Sequence, residues 1–365
     1  MTRYFLFTVS FVLLLLLGCS TDQINTNNEE ETGTPTTSYF PPIDSNLWES
    51  ISTEELGWNL TAEQPLYDFL VENDTDAFII LKNGRIVWEK YFGDFTQDDN
   101  HAWNSAGKTL TAMTVGIAQE EGFLNLDDST VDYLGEGWSS MSLEQEQAVT
   151  IRNHLTMSTG LDYATGDIFC YDPECLLFKN EPNTFWYYHN APYTLLDQIV
   201  TGATDVAFKD YFYKKIRDKI GMQGLWVSIG YNNIYFSTAR SMARFGILNL
   251  NNGVWDNEII LGDTTFLRDM KNTSQNMNPS YGYLWWLNGK LSYKAPGSEA
   301  TFNGKLIENA PNDLYAGLGK NDQKLYVVPS QDLVIVRMGG DAGEAQLGPS
   351  SFDNELWGLL NDLMQ

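Results

Sequence analysis

Two hairpin patterns near opposite ends of the chain constrain the fold most. Residues 76–81 and 86–92 are rich in apolar, aromatic and β-branched side chains, and Asn83-Gly84 lies between them as a turn signal. Residues 324–328 and 332–338 repeat this pattern around a second turn. Each pair of segments predicts two antiparallel strands. If the two hairpins join in one sheet, the long segment between them in the sequence is an insertion between two parts of that sheet.

The segment between the hairpins has helical patterns, each followed by a residue type that favours a helix C-terminus. The predicted helices are residues 109–121, 193–201, 207–220 and 238–250, ended by Gly122, Gly202, Gly221 and Asn251-Asn252-Gly253. The predicted fold class is therefore α+β: an antiparallel sheet of N- and C-terminal strands flanked by helices, with a mainly helical lobe inserted. A site is expected in the cleft between the sheet and this lobe.

The N-terminus predicts export. Arg3 precedes an apolar run that is too short to span a bilayer but suits a signal peptide, and Leu16-Leu17-Gly18-Cys19 resembles a lipobox. We interpret residues 1–18 as a lipoprotein signal peptide and Cys19 as the lipidated residue. A plain signal peptide followed by an incidental cysteine is the alternative. The predicted location is the cell envelope, with a lipid anchor in a membrane.

The chain after Cys19 divides into two parts. Residues 19–45 are rich in Thr, Asn, Glu, Ser and Pro, which predicts a flexible tether. Residues 46–365 contain no second linker and no internal repeat, so they are predicted to form one domain. We expect a monomer.

The charge of the chain excludes one class of partner. Lys and Arg number 22 and Asp and Glu 48, giving a formal net charge of −26. Such a negative field repels phosphate backbones, so nucleic-acid binding is excluded. A solubilising surface explains the acidity more simply than a site for cationic substrates.

The cysteines and histidines predict neither a metal site nor a cofactor. With Cys19 lipidated, Cys170 and Cys175 remain, and the intervening Tyr-Asp-Pro-Glu favours a turn, so a short-loop disulfide is predicted in an oxidising compartment. Further metal ligands are not visible near these cysteines. The histidines at 101, 154 and 189 lie far apart without zinc-like spacing.

The strongest candidate for chemistry is Ser105-Ala106-Gly107-Lys108, placed where the chain enters a predicted helix. A serine and a lysine three residues apart on a helical turn face the same side, so the amine can reach the hydroxyl. The helix N-terminus also favours an oxyanion.

The spacing alone carries little weight, because Ser-x-x-Lys is expected about once by chance in a chain of this length. The position of this segment at the start of a predicted helix distinguishes better between a catalytic and a structural role. Ser105 as a simple helix cap is the structural alternative, but a capping box needs an acid or amide where Lys108 stands, and a cation there opposes the helix dipole. Catalysis is the better interpretation.

Six segments together resemble the serine β-lactamase-related hydrolases, a family that includes class C β-lactamases, penicillin-binding-protein-like D-alanyl-D-alanine carboxypeptidases, D-aminopeptidases, esterases and aminohexanoate-dimer amidases. The resemblance covers roughly residues 65 to 362. The similar segments, in family order, are Ser105–Ala112, Glu121–Asp128, Ile151–Leu161, Tyr188-His189-Asn190 with Tyr193–Leu196, Ser241–Gly246 and Leu325–Pro329.

This resemblance implies roles for individual residues. Ser105 would attack a carbonyl to form a covalent acyl-enzyme, and Lys108, kept neutral by burial, would take its proton. Tyr188 would pass a proton to the leaving group and help to activate water, while Asn190 would orient Lys108 and the substrate. Without the family resemblance, Tyr188 would be interpreted as one of the aromatic residues at 185–188, and Asn190 would have no assigned role. A second Tyr-x-Asn, Tyr231-Asn232-Asn233, lacks the following Leu-Leu helix and is interpreted as a loop.

This sequence differs from the family pattern at the third motif. Many relatives carry Lys-Thr-Gly or His-x-Gly, whereas the matching stretch here is Gly317-Leu318-Gly319-Lys320. The backbone N–H of Lys320 would pair with that of Ser105 as an oxyanion hole. Strand alternation would turn the Lys320 side chain to the other face. Without the usual cation for a substrate carboxylate, an ester or amide with an uncharged acyl group is favoured over rapid β-lactam hydrolysis.

The tryptophans Trp285 and Trp286 lie in a segment that relatives place near the cleft, so they and the glycines Gly317 and Gly319 are candidates for the substrate pocket, although core packing also explains the tryptophans. The predicted function is a serine hydrolase acting on a small ester, amide or peptide. A non-catalytic cell-wall-binding lipoprotein with the same fold is the alternative. A Ser-His-Asp hydrolase is disfavoured because no Gly-x-Ser-x-Gly occurs.

Overall fold

The structure, a computed structural model, describes residues 38–164, 166–343 and 348–365. The predicted signal peptide, the lipidation site Cys19 and residues 19–37 of the predicted tether lie outside the described residues. Along the described ranges, no helix combines the length and the apolar character needed to cross a membrane.

The end of the predicted tether packs on the domain instead of leaving it. The Tyr39 N–H donates to the Asn83 carbonyl at 2.8 Å, and the Arg244 guanidinium donates to the carbonyls of Pro41 and Pro42 at 3.2 and 2.8 Å. These carbonyls satisfy a buried cation that would otherwise be costly. Residues 39–42, which were predicted as part of the tether, therefore pack against the domain predicted to begin at residue 46.

The strands range from two to eight residues, and the three longest, with seven or eight residues, belong to the two predicted hairpins. They are β1 Thr75–Lys82, β2 Arg85–Tyr91, β3 His101–Ala102, β4 Leu225–Ile229, β5 Asn232–Ser237, β6 Val254–Trp255, β7 Glu258–Ile259, β8 Trp286–Leu287, β9 Ser292–Tyr293, β10 Phe302–Asn303, β11 Tyr315–Gly319, β12 Gln323–Val328 and β13 Leu333–Gly339.

The helices lie mainly between β3 and β8, with one at each end of the domain. They are α1 Glu63–Glu72, α2 Lys108–Glu120, α3 Val131–Leu134, α4 Leu143–Ala148, α5 Ile151–Leu155, α6 Asn190–Thr204, α7 Phe208–Phe212, α8 Ala239–Leu250, α9 Thr264–Met270 and α10 Ser351–Leu363.

The main sheet has the strand order β2-β1-β13-β12-β11-β8, and all neighbours are antiparallel. The first hairpin joins the second through β1 and β13, where Ile80 lies opposite Ile335. The predicted α+β class, with one sheet formed from both ends of the chain, is confirmed.

Helices cover both faces of this sheet. A Cβ built on Gly246 of α8 would lie 2.3 Å from a methyl carbon of Val334 and 3.0 Å from one of Leu325. On α10, the Trp357 ring contacts the Tyr326 ring at 5.7 Å. Since Leu325 and Tyr326 are consecutive strand residues, their side chains point to opposite faces. The β13 strand is accordingly buried along its whole length, as expected for a strand covered on both sides.

Two of the predicted helices differ in the structure. The helix predicted at 193–201 begins earlier and continues through Gly202 as α6, because Gly202 lies against another backbone and does not end the helix: a Cβ there would be 2.5 Å from the Tyr133 carbonyl oxygen. The helix predicted at 207–220 divides into α7 and a π-helical turn, Tyr213–Arg217.

The close packing of α8 gives a test of the sheet–helix contact. Gly246→Ala places a methyl group where Val334 already lies, so we expect a loss of about 1–3 kcal/mol in the free energy of unfolding. Gly358→Ala on α10 is the matched control, because its Cβ would meet only an ordinary contact at 3.5 Å. Because alanine has a higher helix propensity than glycine, the free energy of unfolding of that variant should exceed that of the wild type by up to about 1 kcal/mol. Urea denaturation of both variants checks this, and equal stabilities would contradict the packing described.

Candidate active site

The predicted nucleophile lies in a 3-10 turn, Asn104–Gly107, directly before α2. Trp103, which precedes the turn, is fully buried. Its backbone N–H donates to the Tyr235 carbonyl at 2.8 Å, and its indole Nε1 donates to Ser237 Oγ at 2.7 Å. Both partners belong to β5, so the turn that carries Ser105 is held against the small sheet β3-β5-β4.

Asn104 fixes the turn from its other side and was not singled out in the sequence. Its backbone has a φ of 48°, in the left-handed region that asparagine tolerates better than most residues. Its side-chain Nδ2 donates to the Lys320 carbonyl at 2.9 Å. One residue therefore sets the direction of the chain into Ser105 and ties that turn to the end of β11.

The glycines of the third motif let β11 approach the nucleophile turn. A Cβ on Gly319 would lie 2.4 Å from the Trp103 carbonyl oxygen, and one on Gly317 would lie 3.3 Å from the Ala106 carbonyl oxygen. Side chains at these positions would push the strand away from the turn. The role predicted for Gly317 and Gly319 as pocket residues is thus corrected to one of backbone packing.

Lys108 occupies the centre of the site. Its Nζ lies 3.1 Å from Ser105 Oγ and donates to Asn190 Oδ1 at 2.8 Å. The same nitrogen lies 4.1 Å from the centre of the Tyr193 ring and 5.1 Å from that of Tyr188. The side chain is 4% exposed, so the amine is removed from water and surrounded by one hydroxyl, one amide oxygen and two aromatic faces.

The surroundings shift the two titratable groups in opposite directions. Burial lowers the pKa of Lys108 to about 7, because the charged ammonium loses its hydration and the described residues that line the cavity around it include no carboxylate. Burial raises the pKa of Tyr188 well above 10, although a hydrogen bond with Ser105 acts against this shift. At neutral pH the amine is therefore the available base beside Ser105, and the phenol keeps its proton.

Tyr188 is supported from behind by the aromatic core. Its ring stacks on Trp286 at 5.7 Å between centres and 19° between planes, and meets Tyr281 edge-on at 6.2 Å. Trp285 and Trp286 are 0% and 2% exposed. Of the two roles considered for these tryptophans, the structure gives core packing and not the substrate pocket, and Trp286 contacts the ring of Tyr188 from the core side.

A cavity of about 280 Å³ opens above Ser105; we call it the nucleophile cavity. Its wall includes the four predicted catalytic residues and Lys320. Lys320 is exposed and follows the last residue of β11, so the strand alternation that was expected to turn its side chain away from the site does not apply to it. The lining residues are Asn104, Ser105, Lys108, Phe169, Tyr188, Asn190, Tyr193, Asn232, Asn233, Ile234, Lys320 and Gly348.

Several lining residues were missed in the sequence. The second Tyr-x-Asn was interpreted as a loop, but Asn232 and Asn233 begin β5 and form part of the cavity wall. The motif itself was the available signal, and the hairpin partner β4 was not recognised. Phe169 reaches the cavity from the segment next to the disulfide that joins Cys170 and Cys175. Nothing in the sequence placed that segment opposite Ser105.

With the fold and the geometry around Ser105 described, the chain can be compared with known proteins. The model of the β-lactamase family matches residues 70–350, and the chain belongs to that family. The resemblance found in the sequence is thereby confirmed.

Individual relatives show similarity at low identity. A 6-aminohexanoate-dimer hydrolase from Paenarthrobacter ureafaciens is 23% identical over 317 residues, which cover 74% of this chain and 73% of that protein. A solved structure of a proposed 6-aminohexanoate-dimer hydrolase from Bacillus anthracis superposes with a TM-score of 0.68 at 21% identity and covers 89% of both chains. A proposed β-lactamase from Bacteroides dorei gives a TM-score of 0.65 at 15% identity, with 84% of this chain and 99% of that chain covered. These structures share the fold.

The buried amine predicts a pH-dependent stability. Lys108 has a pKa of about 7 in the folded chain, below the ordinary value of 10.5 that applies when it is unfolded. Between these values the unfolded chain holds a proton that the folded chain does not, so raising the pH stabilises the fold. We expect the free energy of unfolding of the wild type, minus that of Lys108→Met, to rise by about 1.4 kcal/mol per pH unit between about pH 7 and pH 10.

Urea denaturation across this pH range measures the difference. Lys209→Met, which removes an exposed lysine from α7, is the matched control and should give a difference that does not vary with pH. A flat profile for Lys108→Met as well would show that Lys108 is not buried as a neutral amine.

Proposed function

We propose that this protein is a serine hydrolase that cleaves an ester or amide through a covalent acyl-enzyme. The observation that carries this proposal is the contact of 3.1 Å between the buried Lys108 amine and Ser105 Oγ. As Ser105 Oγ bonds to the substrate carbonyl carbon, its proton passes to the Lys108 nitrogen, whose pKa near 7 suits a base at neutral pH. Asn190 holds the amine in place.

Collapse of the tetrahedral intermediate needs a proton for the leaving group. Tyr188 supplies it in our proposal, because its raised pKa keeps the phenol protonated and its hydroxyl is hydrogen-bonded to Ser105. The bond between the carbonyl carbon and the leaving oxygen or nitrogen breaks, and the leaving group departs with this proton while Lys108 returns its proton to Tyr188. Water then attacks the acyl-enzyme by the reverse set of transfers.

The backbone N–H groups of Ser105 and Lys320 are proposed as the oxyanion hole. The close approach of β11 to the nucleophile turn, which Gly317 and Gly319 permit, supports this assignment. So does the hydrogen bond from Asn104 to the Lys320 carbonyl, since it fixes the peptide that follows β11. A preorganised donor of this kind typically contributes about a hundred- to a thousandfold to turnover.

The substrate class follows from the lining of the cavity. Apart from Lys108, the described lining residues include one charged side chain, Lys320, and its exposure weakens any pairing with a substrate carboxylate. We propose esters or amides with an uncharged group at the carbonyl as preferred substrates, ahead of β-lactams. The name of the relative from Paenarthrobacter ureafaciens, a dimer hydrolase, is consistent with an amide.

Chemical labelling tests the mechanism. A fluorophosphonate probe should label the wild type at Ser105, and Ser105→Ala should lose both the label and about a thousandfold or more of its p-nitrophenyl ester hydrolysis, because the described lining residues of the cavity include no other serine, threonine or cysteine. Thr109→Val, next to the site but without a role in proton transfer, serves as a folding control. Absence of label from the wild type with any acylating probe would favour the non-catalytic cell-wall-binding alternative, and rapid nitrocefin turnover would overturn the substrate preference.

We also propose that the protein is held in the cell envelope by a lipid on Cys19. The lipobox-like sequence that ends at Cys19 and the polar segment after it support this proposal. Cys19→Ala should move the protein from the membrane fraction to the soluble fraction, or leave it as an unprocessed precursor, whereas Cys170→Ala should stay in the membrane fraction. Metabolic labelling with a fatty acid measures the difference, and a labelled Cys19→Ala variant would contradict the assignment.

A further inference from the structure

The nucleophile cavity has an apolar part that the mechanism above does not use. Among its described lining residues, Phe169 and Ile234 have side chains made of carbon and hydrogen alone. Phe169 is 37% exposed and Ile234 is half-buried, so apolar surface in the same cavity as Ser105 remains in contact with water. Covering such surface with an apolar group of a ligand is favourable, because both surfaces then leave water.

The backbone before Phe169 is bound to the helix that begins with Asn190. The Ala191 N–H, in the first turn of α6, donates to the Ile168 carbonyl at 3.0 Å. The N–H groups of a first helical turn have no partner within the helix, so this hydrogen bond satisfies one of them. The Phe169 N–H itself donates to Asp167 Oδ1 at 2.9 Å. The position of Phe169 is therefore fixed relative to the start of α6.

A disulfide fixes the chain directly after Phe169. It joins Cys170 to Cys175, and the next residue, Leu176, is fully buried in an apolar cluster of its own. The Ser140 N–H donates to the Leu176 carbonyl at 3.0 Å. A disulfide restricts the conformations open to the segment that it closes. The anchored Leu176 therefore restrains Cys170 through the disulfide, and with it the neighbouring Phe169.

The segment closed by this disulfide also contacts the turn between β4 and β5. The Tyr231 hydroxyl donates to Asp172, and the rings of Tyr171 and Tyr231 meet edge-on at 5.1 Å. Tyr231 directly precedes β5, the strand that carries Ile234. The two segments that supply hydrocarbon side chains to the cavity therefore hold each other in place.

We propose that Phe169 is a specificity-determining residue, positioned by the disulfide between Cys170 and Cys175 to pack against an aliphatic or aromatic group of the substrate. This assignment rests on the proposed function, because it takes the reacting carbonyl to lie at Ser105. Both the acyl part and the leaving group of an ester or amide can carry such a group, and two series of substrates distinguish them.

Two pairs of esters measure this contact in the full-length protein. p-Nitrophenyl acetate and p-nitrophenyl hexanoate differ in the acyl part, whereas methyl acetate and hexyl acetate differ in the leaving group. The wild type should favour the longer member of at least one pair by about tenfold or more in kcat/KM, since methylene groups that enter an apolar site strengthen binding. Phe169→Ala should reduce this preference by about fivefold or more, mainly through a higher KM for the longer ester, because the lost contact binds ground state and transition state alike.

Phe178→Ala is the matched control. Phe178 is also 37% exposed and lies close to the disulfide in sequence, but it is not among the described lining residues of the cavity. Its replacement should leave the preference of the wild type unchanged. Equal kcat/KM for the short and long esters of both pairs, an unchanged preference in Phe169→Ala, or an equal loss in Phe178→Ala would overturn the role of Phe169 while leaving the hydrolase function intact.

Replacing both cysteines tests the positioning. The double variant Cys170→Ser and Cys175→Ser keeps the Phe169 side chain but releases its segment, so it should lose preference in the same pair of esters as Phe169→Ala. Fluorophosphonate labelling of Ser105 in this variant shows that the site is still assembled. A labelled double variant with the wild-type preference would overturn the positioning by the disulfide. An unlabelled one would overturn it as well, because the disulfide would then support the fold as a whole.

If the wild type hydrolyses none of the four esters, the hydrolase proposal fails separately. Calorimetric binding of N-hexylhexanamide, which carries an aliphatic group on both sides of its carbonyl, then decides. Binding by Phe169→Ala that is about fivefold or more weaker than that of the wild type supports the contact. Equal binding, or none, rejects it.

Discussion

The burial of one amine beside one hydroxyl is the interaction on which the site depends. A lysine that stays charged in water is no base at neutral pH, and a serine hydroxyl is a weak nucleophile. Enclosing Lys108 between the rings of Tyr188 and Tyr193 and the amide of Asn190 lowers its pKa into the useful range. The same enclosure keeps the Tyr188 phenol protonated. One desolvated space therefore lowers the pKa of the amine and raises that of the phenol, which are the shifts that our proposed base and acid require.

That space exists because three separate parts of the chain converge on a single turn. The small sheet holds the turn through Trp103, β11 approaches it through glycines, and α6 brings Asn190 at its first residue. The main sheet contains strands from both ends of the chain, and β11, the strand beside the nucleophile, pairs with β12 of the C-terminal hairpin. The site therefore depends on contacts between residues far apart in sequence and is not a property of the Ser-x-x-Lys segment alone.

Periodicity and turn signals predicted the local elements well. The two hairpins, α2 and α8 follow from residue patterns of a few positions, and their positions agree with the structure within a few residues. The predictions were wrong where a contact with a residue far away in the sequence determines the local structure. Gly202 was interpreted as a helix end, but a glycine is needed there because the Tyr133 backbone lies too close for a side chain. Residues 39–45 have the composition of a tether, but their carbonyls accept hydrogen bonds from Arg244. Propensity cannot distinguish these cases, because the deciding contact is far away in sequence.

The candidate site shows the same limit more sharply. Ser105, Lys108, Tyr188 and Asn190 were found because short motifs mark them, whereas Asn104 and Phe169 line the cavity through tertiary contacts that no motif encodes. In our proposal the residues of the first kind perform chemistry that many substrates share. Residues of the second kind form part of the cavity wall, and walls of this kind usually determine which molecule fits a site.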